Sequence, residues 1–167
     1  MVTSKWETQN LTNVNTYGIQ FYTKIKTKEI WTTQPVKSIS LYYSYIDQYI
    51  ISNEFITKYS LNHLRHNFNA SIIHTIFGPI NMSWSFKYQE RAGNYQPYNL
   101  LDNTYENEKA FSPSFIMDTK IYYQKKWLSC FVEVNNLLNN KSFDFGNIEM
   151  PGRWFFAGIE LKFGSSD

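Results

Sequence analysis

Three histidines are the side chains of this chain best suited to hold a metal or move a proton, and their spacing argues against both. His63 and His66 are an odd number of residues apart, so on a strand they point to opposite faces. His66 and His74 share a parity but are separated by eight residues, about 27 Å at the rise of a strand. Neither pair can chelate one ion unless the strand bulges. The carboxylates Glu7, Glu54, Asp102, Glu106, Glu108, Asp144 and Glu149 could do acid–base work in pairs. They are interspersed with Lys and Asn instead, and no His or Ser stands at a useful distance from them. The expectation is a protein that is not an enzyme, with no catalytic residues, no metal and no cofactor.

Aromatic side chains are the other chemistry on offer. They make up 19% of the chain, with 13 Tyr, 13 Phe and 5 Trp, while charged residues reach only 18%, below the usual quarter or so. Trp6, Tyr95, Tyr98, Tyr105, Phe143 and Phe145 fall in long connections between periodic segments. Aromatics on loops carried by a rigid scaffold often bind ligand, and these six are the expected ligand contacts. Their other role would be to pack the loops onto each other or onto lipopolysaccharide.

The segments that carry those loops read as strands. Ile80, Met82, Trp84, Phe86 and Tyr88 alternate with Asn81, Ser83, Ser85, Lys87 and Gln89, an unbroken period of two. The same alternation recurs around Tyr17–Lys24, Ser38–Tyr45, Leu64–His74, Phe115–Tyr123 and Leu128–Asn135. In the last segment, Phe155, Ala157, Ile159, Leu161 and Phe163 form an apolar parity against Trp154, Phe156, Gly158, Glu160 and Lys162. A helical period fits none of the seven. Phe77-Gly78-Pro79 and Gln124-Lys125-Lys126 are tight turns, and Lys26 to Pro35 is intermediate. The joins Asp47–Ser60, Glu90–Pro113 and Asn136–Gly152 are long. Short turns at one end and long loops at the other is the asymmetry of outer-membrane barrels, as are aromatic girdles and strands with one apolar face.

The remaining bulk properties agree. No run approaches ~18 apolar residues, which excludes a transmembrane helix. The net charge of +2 comes without a long basic run, so no nucleic-acid partner is expected. Cys130 is the only cysteine, so no internal disulfide can form. The opening residues lack the apolar core of a signal peptide, and the expectation is that this is the C-terminal piece of a longer exported protein, cut by a truncated, misread or split reading frame.

Two stretches resemble a known family. Phe131 to Phe143, containing Asn135-Asn136-Leu137-Leu138-Asn139-Asn140, resembles the penultimate strand and Asn-Leu-Phe motif of TonB-dependent outer-membrane receptors. Met150-Pro151-Gly152-Arg153 and the strand ending at Phe163 resemble their terminal motif and last strand. Tyr59–His66 and Tyr88–Tyr95 also resemble segments of these receptors, nearest to vitamin B12-type members of Bacteroidota-like bacteria. The resemblance runs from about Tyr17 to Phe163.

It implies an all-β antiparallel meander of about seven transmembrane strands over residues 1–163, a partial wall of a 22-stranded barrel, with 164–167 as a short tail. It implies capture of a scarce nutrient (siderophore, cobalamin or glycan) for TonB-energised uptake at the cell outer membrane. The implied partners are the remainder of the barrel and its plug domain, TonB through the missing N-terminal region, outer-membrane lipid and lipopolysaccharide, the insertion machinery, and a surface lipoprotein. Ile159, Leu161 and Phe163 would be the assembly signal. Pro151, Gly152 and Arg153 are expected to form a structural turn, because Pro fixes φ and Gly permits unusual backbone. The other architecture compatible with the residues is a self-contained small barrel or β-sandwich that binds sugar or peptide.

Overall fold

The computed structural model describes residues 14–30, 34–50, 63–99, 101–145 and 148–163. Four long strands come first: β1 (Val14–Ile25), β2 (Val36–Ile50), β3 (Leu64–Phe77) and β4 (Ile80–Arg91). Four two-residue strands follow, β5 (Asn94–Tyr95), β6 (Tyr98–Asn99), β7 (Thr104–Tyr105) and β8 (Lys109–Ala110). Then come β9 (Ser114–Gln124), β10 (Leu128–Asn135), β11 (Phe143–Phe145), β12 (Ile148–Glu149) and β13 (Trp154–Leu161). The only helical element among the described residues is a 3-10 turn at Thr27–Glu29.

The seven long strands form one antiparallel sheet in chain order, β1-β2-β3-β4-β9-β10-β13. Among the described residues β1 and β13 are its edges. The expected all-β meander of seven strands is therefore what the chain builds. β1, β2, β3, β4 and β9 are longer than their alternation indicates, β2 continuing past Tyr45 to Ile50, whereas β10 keeps the expected Leu128–Asn135 and β13 ends at Leu161, short of Phe163. The short ribbons β5–β8, β6–β7 and β11–β12 lie inside two of the long loops.

Register decides which residues share a face, because directly paired residues point the same way. Phe21 pairs with Tyr43, Tyr43 with Phe68, Phe68 with Tyr88 and Tyr88 with Phe115. Further along, Ile121 pairs with Val132 and Val132 with Ala157. The apolar parity of every strand thus falls on one face. The polar parity falls on the other, as in the row Gln20, Ser44, Asn67, Gln89, Ser114. Bulges between Val36 and Ser38, Leu64 and His66, and Thr75 and Phe77 shift the register without breaking this order.

Burial does not follow hydrophobicity: in β4 the polar-face Ser85 and Lys87 are exposed and Trp84, Phe86 and Tyr88 half-buried, yet at other positions the order is reversed. Polar-face Ser44 and Asn81 are 4% and 5% exposed, whereas Val132, on an interior strand, is 56% exposed. The only buried hydrophobic side chains among the described residues are Ala92 and Phe111, and both belong to a loop. The sheet has no apolar core. The polar face carries its own hydrogen bonds: Lys37 donates to Asn81, Thr75 Oγ1 donates to Asn81 Oδ1 at 3.2 Å, and Ser40 and Ser71 share a hydrogen bond of 2.6 Å. Gly158 is needed there for space. A Cβ on it would come within 2.5 Å of the Phe131 ring, which lies across β13 at that point.

Candidate functional site

The long-loop end of the polar face begins with an asparagine knot. Asn tolerates left-handed backbone better than other chiral residues, and both Asn136 (φ 51°) and Asn139 (φ 53°) adopt it. This lets β10 end abruptly and fold back over β9. The Asn136 N–H donates to Asp118 Oδ1 at 2.8 Å, and the Leu137 N–H donates to the Met117 carbonyl at 2.7 Å. The Asn136 side chain closes a ring on Asn140, donating to its carbonyl at 2.8 Å and accepting from its N–H at 2.9 Å. Asn140 in turn donates to the Phe115 carbonyl at 2.8 Å. Asn136 is 4% exposed, so the bonds it makes itself are shielded from water.

The same knot receives Pro151, Gly152 and Arg153. The Arg153 N–H donates to Asn139 Oδ1 at 2.8 Å, and a Cβ on Gly152 would lie 2.7 Å from that oxygen. Any larger residue at 152 would push Asn139 away from Arg153. Asn139, directly after the Asn-Asn-Leu-Leu stretch, and Arg153 of the Pro-Gly-Arg stretch, 14 residues apart, thus meet at the entrance to the last strand.

Beneath the knot lies an amphipathic hollow of about 290 Å³. Lys87, Gln89, Asp118 and Asn135 line it from the sheet, and Phe143, Pro151 and Trp154 line its side. Above it the loops pack by their aromatic rings. Tyr95 sits between Phe111 at 5.0 Å and Phe143 at 5.6 Å, and the Arg91 guanidinium lies 5.9 Å from the centre of the Phe111 ring. Tyr98 and Tyr105 meet edge to face at 4.9 Å on the ribbon β6–β7. The structure therefore brings Tyr95 and Phe143 together and holds Tyr98 and Tyr105 as a separate pair. Trp6 lies outside the described residues, as does the Phe145 side chain; the Phe145 backbone is in β11. At the opposite end of the sheet, Ile159, Leu161 and Phe163 are exposed on the apolar face of the edge strand or just past it.

Phe111 and Arg91 belong to this group and were missed in the sequence. Phe111 stands outside any alternation, and the only local signal for it is an aromatic two residues ahead of Pro113. Also unforeseen is a contact on the polar face, where Lys120 Nζ lies 3.1 Å from Glu133 Oε2 and 3.9 Å from the centre of the Phe131 ring. It borders a second hollow of about 340 Å³, lined also by Ser83, Ser85 and Asp118. A broader depression of about 920 Å³ is lined by apolar residues such as Ile121, Cys130 and Ile159, and gives a solute nothing to orient it.

Each described histidine is engaged singly. His66 Nδ1 hydrogen-bonds Tyr43 at 2.9 Å, His74 Nε2 accepts from Trp84 Nε1 at 3.3 Å, and His63 Nε2 is 3.7 Å from Asp47 Oδ1. A bulge does form between Leu64 and His66, yet among the described residues no three His, Cys, Asp or Glu side chains could hold a metal. Of the loop carboxylates, Glu106 pairs with Lys109 at 2.7 Å and Glu149 with Lys141 at 3.3 Å. The Glu106 carboxylate keeps the Lys109 ammonium above its usual range, first through their hydrogen bond and then through charge. Asp102 accepts from Asn99 Nδ2 at 2.9 Å, while Glu7 and Glu54 lie outside the described residues. The long-loop end offers stacking faces and hydrogen-bonding groups, which suit binding. No protein-family model and no curated protein matches this chain.

Proposed function

We propose that this chain is a wall segment of an outer-membrane β-barrel, and that the barrel is a receptor of the TonB-dependent type that captures a scarce nutrient. The observation that carries the reading is the sidedness of the sheet. Seven strands in succession turn their apolar parity to one face, and the described residues lay no second layer over that face, where Phe21, Phe115, Ile121, Val132, Phe155 and Ile159 remain exposed. In water this arrangement is upside down; in lipid it is the required one, since lipid covers apolar side chains and the ladder satisfies the backbone. The bare edges β1 and β13 would be paired by the remainder of the barrel. A self-contained sandwich would need a second large sheet over the apolar face, and a closed small barrel would need β1 to meet β13; the described residues form one open sheet.

In this reading the long loops and the hollow beside Trp154 face the ligand, and a plug domain and TonB supply the energised step. The siderophore, cobalamin or glycan would touch Tyr98, Tyr105 or the hollow rather than Tyr95, whose ring is occupied by Phe111 and Phe143.

Cys130 makes the test simple, because it is the only cysteine and lies on the apolar face, paired with Tyr123 and Ile159. A fluorophore on Cys130 in vesicle-inserted protein should be quenched by a nitroxide on the lipid chains and not by iodide in the water. Cys130→Ser combined with Ser129→Cys should show the reverse. In plain buffer the same chain should aggregate, since its apolar face far exceeds the patch a soluble monomer tolerates. A monodisperse monomer without detergent, or identical quenching at both positions, would end the proposal. In the full-length receptor, Phe163→Ala should lower the amount inserted in the membrane while leaving ligand affinity per inserted molecule unchanged. Radiolabelled binding normalised to surface receptor reads the two separately.

A further inference from the structure

The two ends of the sheet carry different charge. The short-turn end has Lys24, Lys26, Lys28 and Lys37 around the first turn, and Lys125, Lys126 and Lys162 at the other side. Among the described residues, two carboxylates stand against these seven lysines, Glu29 and Glu160, a net of five positive charges. Among the described residues, the long-loop end has five cations, Arg65, Arg91, Lys109, Lys141 and Arg153, against the seven carboxylates of Asp47, Glu90, Asp102, Glu106, Glu108, Asp144 and Glu149. Lys87, Asp118, Lys120 and Glu133, in the strand interiors, cancel. The described part of a chain whose net charge is +2 thus concentrates its positive charge at one rim.

Exposed aromatics share that rim. Phe77 is 67% exposed, Trp127 61% and Phe163 89%. Phe163 continues the apolar parity of β13, and the Lys162 N–H donates to the Trp127 carbonyl at 2.9 Å, so an aromatic and a lysine from different elements are held side by side. None of the ion pairs among the described residues takes up Lys125 or Lys126. Both lie in the turn before β10 and are exposed.

We propose that the short-turn rim is a lysine collar for the anionic headgroups of a phospholipid leaflet. This rests on the wall reading, which places the apolar face in lipid and the short turns at the inner leaflet. Aromatic rings settle at the headgroup level, and lysines snorkel from there to the phosphates. Each lysine near an anionic surface strengthens attachment severalfold, and five net charges at one rim give a preference that the chain's overall charge does not suggest. Lysine suits this task better than arginine where the partner is a mobile field of point charges rather than one fixed anion. The three arginines of the chain are all at the other end.

The test is flotation of the detergent-solubilised full chain with two kinds of vesicle, pure phosphatidylcholine and phosphatidylcholine with about 30% phosphatidylglycerol. The unmodified chain should associate with both and at least tenfold more strongly with the anionic one, a preference that about 0.5 M NaCl removes. Lys125→Glu with Lys126→Glu should cut the preference about tenfold. Lys109→Glu with Lys141→Glu, the same charge change at the far rim, should leave it within about twofold. Circular dichroism confirms that both variants keep their strand content; if the turn variant loses it, Lys125→Gln with Lys126→Gln replaces it. Equal losses from the two variants would make the preference one of overall charge and overturn the collar. Equal binding of the unmodified chain to both vesicles would overturn the collar and leave the wall reading intact. No binding to either vesicle would overturn the wall reading as well.

Discussion

Val132→Arg should abolish stable folding in a bilayer, while Ser85→Arg should be tolerated. Val132 is at the middle of β10, paired on the apolar face with Ile121 and Ala157, and is 56% exposed although its strand is interior. Arginine at the lipid-facing midplane of a barrel costs roughly 2–4 kcal/mol. Ser85 is also in the body of its strand, on the opposite face, and pairs with Asp118, which can accept the new charge. The change there should stay within about 0.5 kcal/mol. Urea unfolding of the two variants in lipid vesicles, against the unmodified chain, measures the difference. In water a half-exposed valine is an easy place for arginine, so only a lipid-covered face produces the large loss. Equal stabilities, or a larger loss for Ser85→Arg, would mean that the apolar face is not in lipid.

The second large effect is expected at Asn136. Asn136→Ala removes two hydrogen bonds to Asn140, each worth about 1 kcal/mol when buried. It also puts a residue with no liking for left-handed backbone at φ 51°, at a further cost of about 1 kcal/mol. The total is about 2–4 kcal/mol, read as a shift in the urea midpoint and as faster protease cleavage within 136–153. Asn136→Gly relieves the backbone and not the hydrogen bonds, so it should fall between Ala and the unmodified chain. If both variants are as stable as the parent, the knot does not hold the last strand in place. The loss should also be felt at Arg153, because Asn139 is oriented by its own N–H bond to the Asn136 carbonyl at 2.8 Å.

The seven strands were legible because each carries a period of two over most of its length. Their ends were not. In β2 the alternation fails after Tyr45, where Ile46, Asp47 and Gln48 follow, yet the ladder continues because Gly18 and Tyr17 of β1 still pair with Ile46 and Asp47. A bond such as Tyr17 Oη to Asp47 at 2.9 Å depends on register between segments 30 residues apart, and nothing local in either segment announces it. The bulge at Leu64–His66 is invisible for the same reason. Two-residue strands such as β5 and β6 are too short to show any period, so the join between Glu90 and Pro113 reads in the sequence only as a long loop bearing aromatics. The Asn run was legible as the end of a strand. Its anchors, Asp118 and the carbonyls of Phe115 and Met117, lie on the neighbouring strand and became evident only with the fold.

Those short ribbons bear on how quickly the sheet can close. Pairing β4 with β9 means bringing together strands separated by the stretch from 92 to 113, and a structureless loop of that size would charge its whole closure entropy before the first contact formed. Here the stretch is nested: β6 pairs with β7, β5 with β8 outside them, and β4 with β9 outside those. The innermost turn, at Leu101–Asn103, brings Asn99 opposite Thr104, and Asn103 supplies the positive φ of 50° that a tight reversal needs. Closure can then begin as a local hairpin and move outward in short steps, each adding only five unpaired residues to what is already closed. The most distant pairing of consecutive long strands thus becomes a zipper starting from its own tip, and insertions there would slow assembly less than equal insertions in a loop without ribbons.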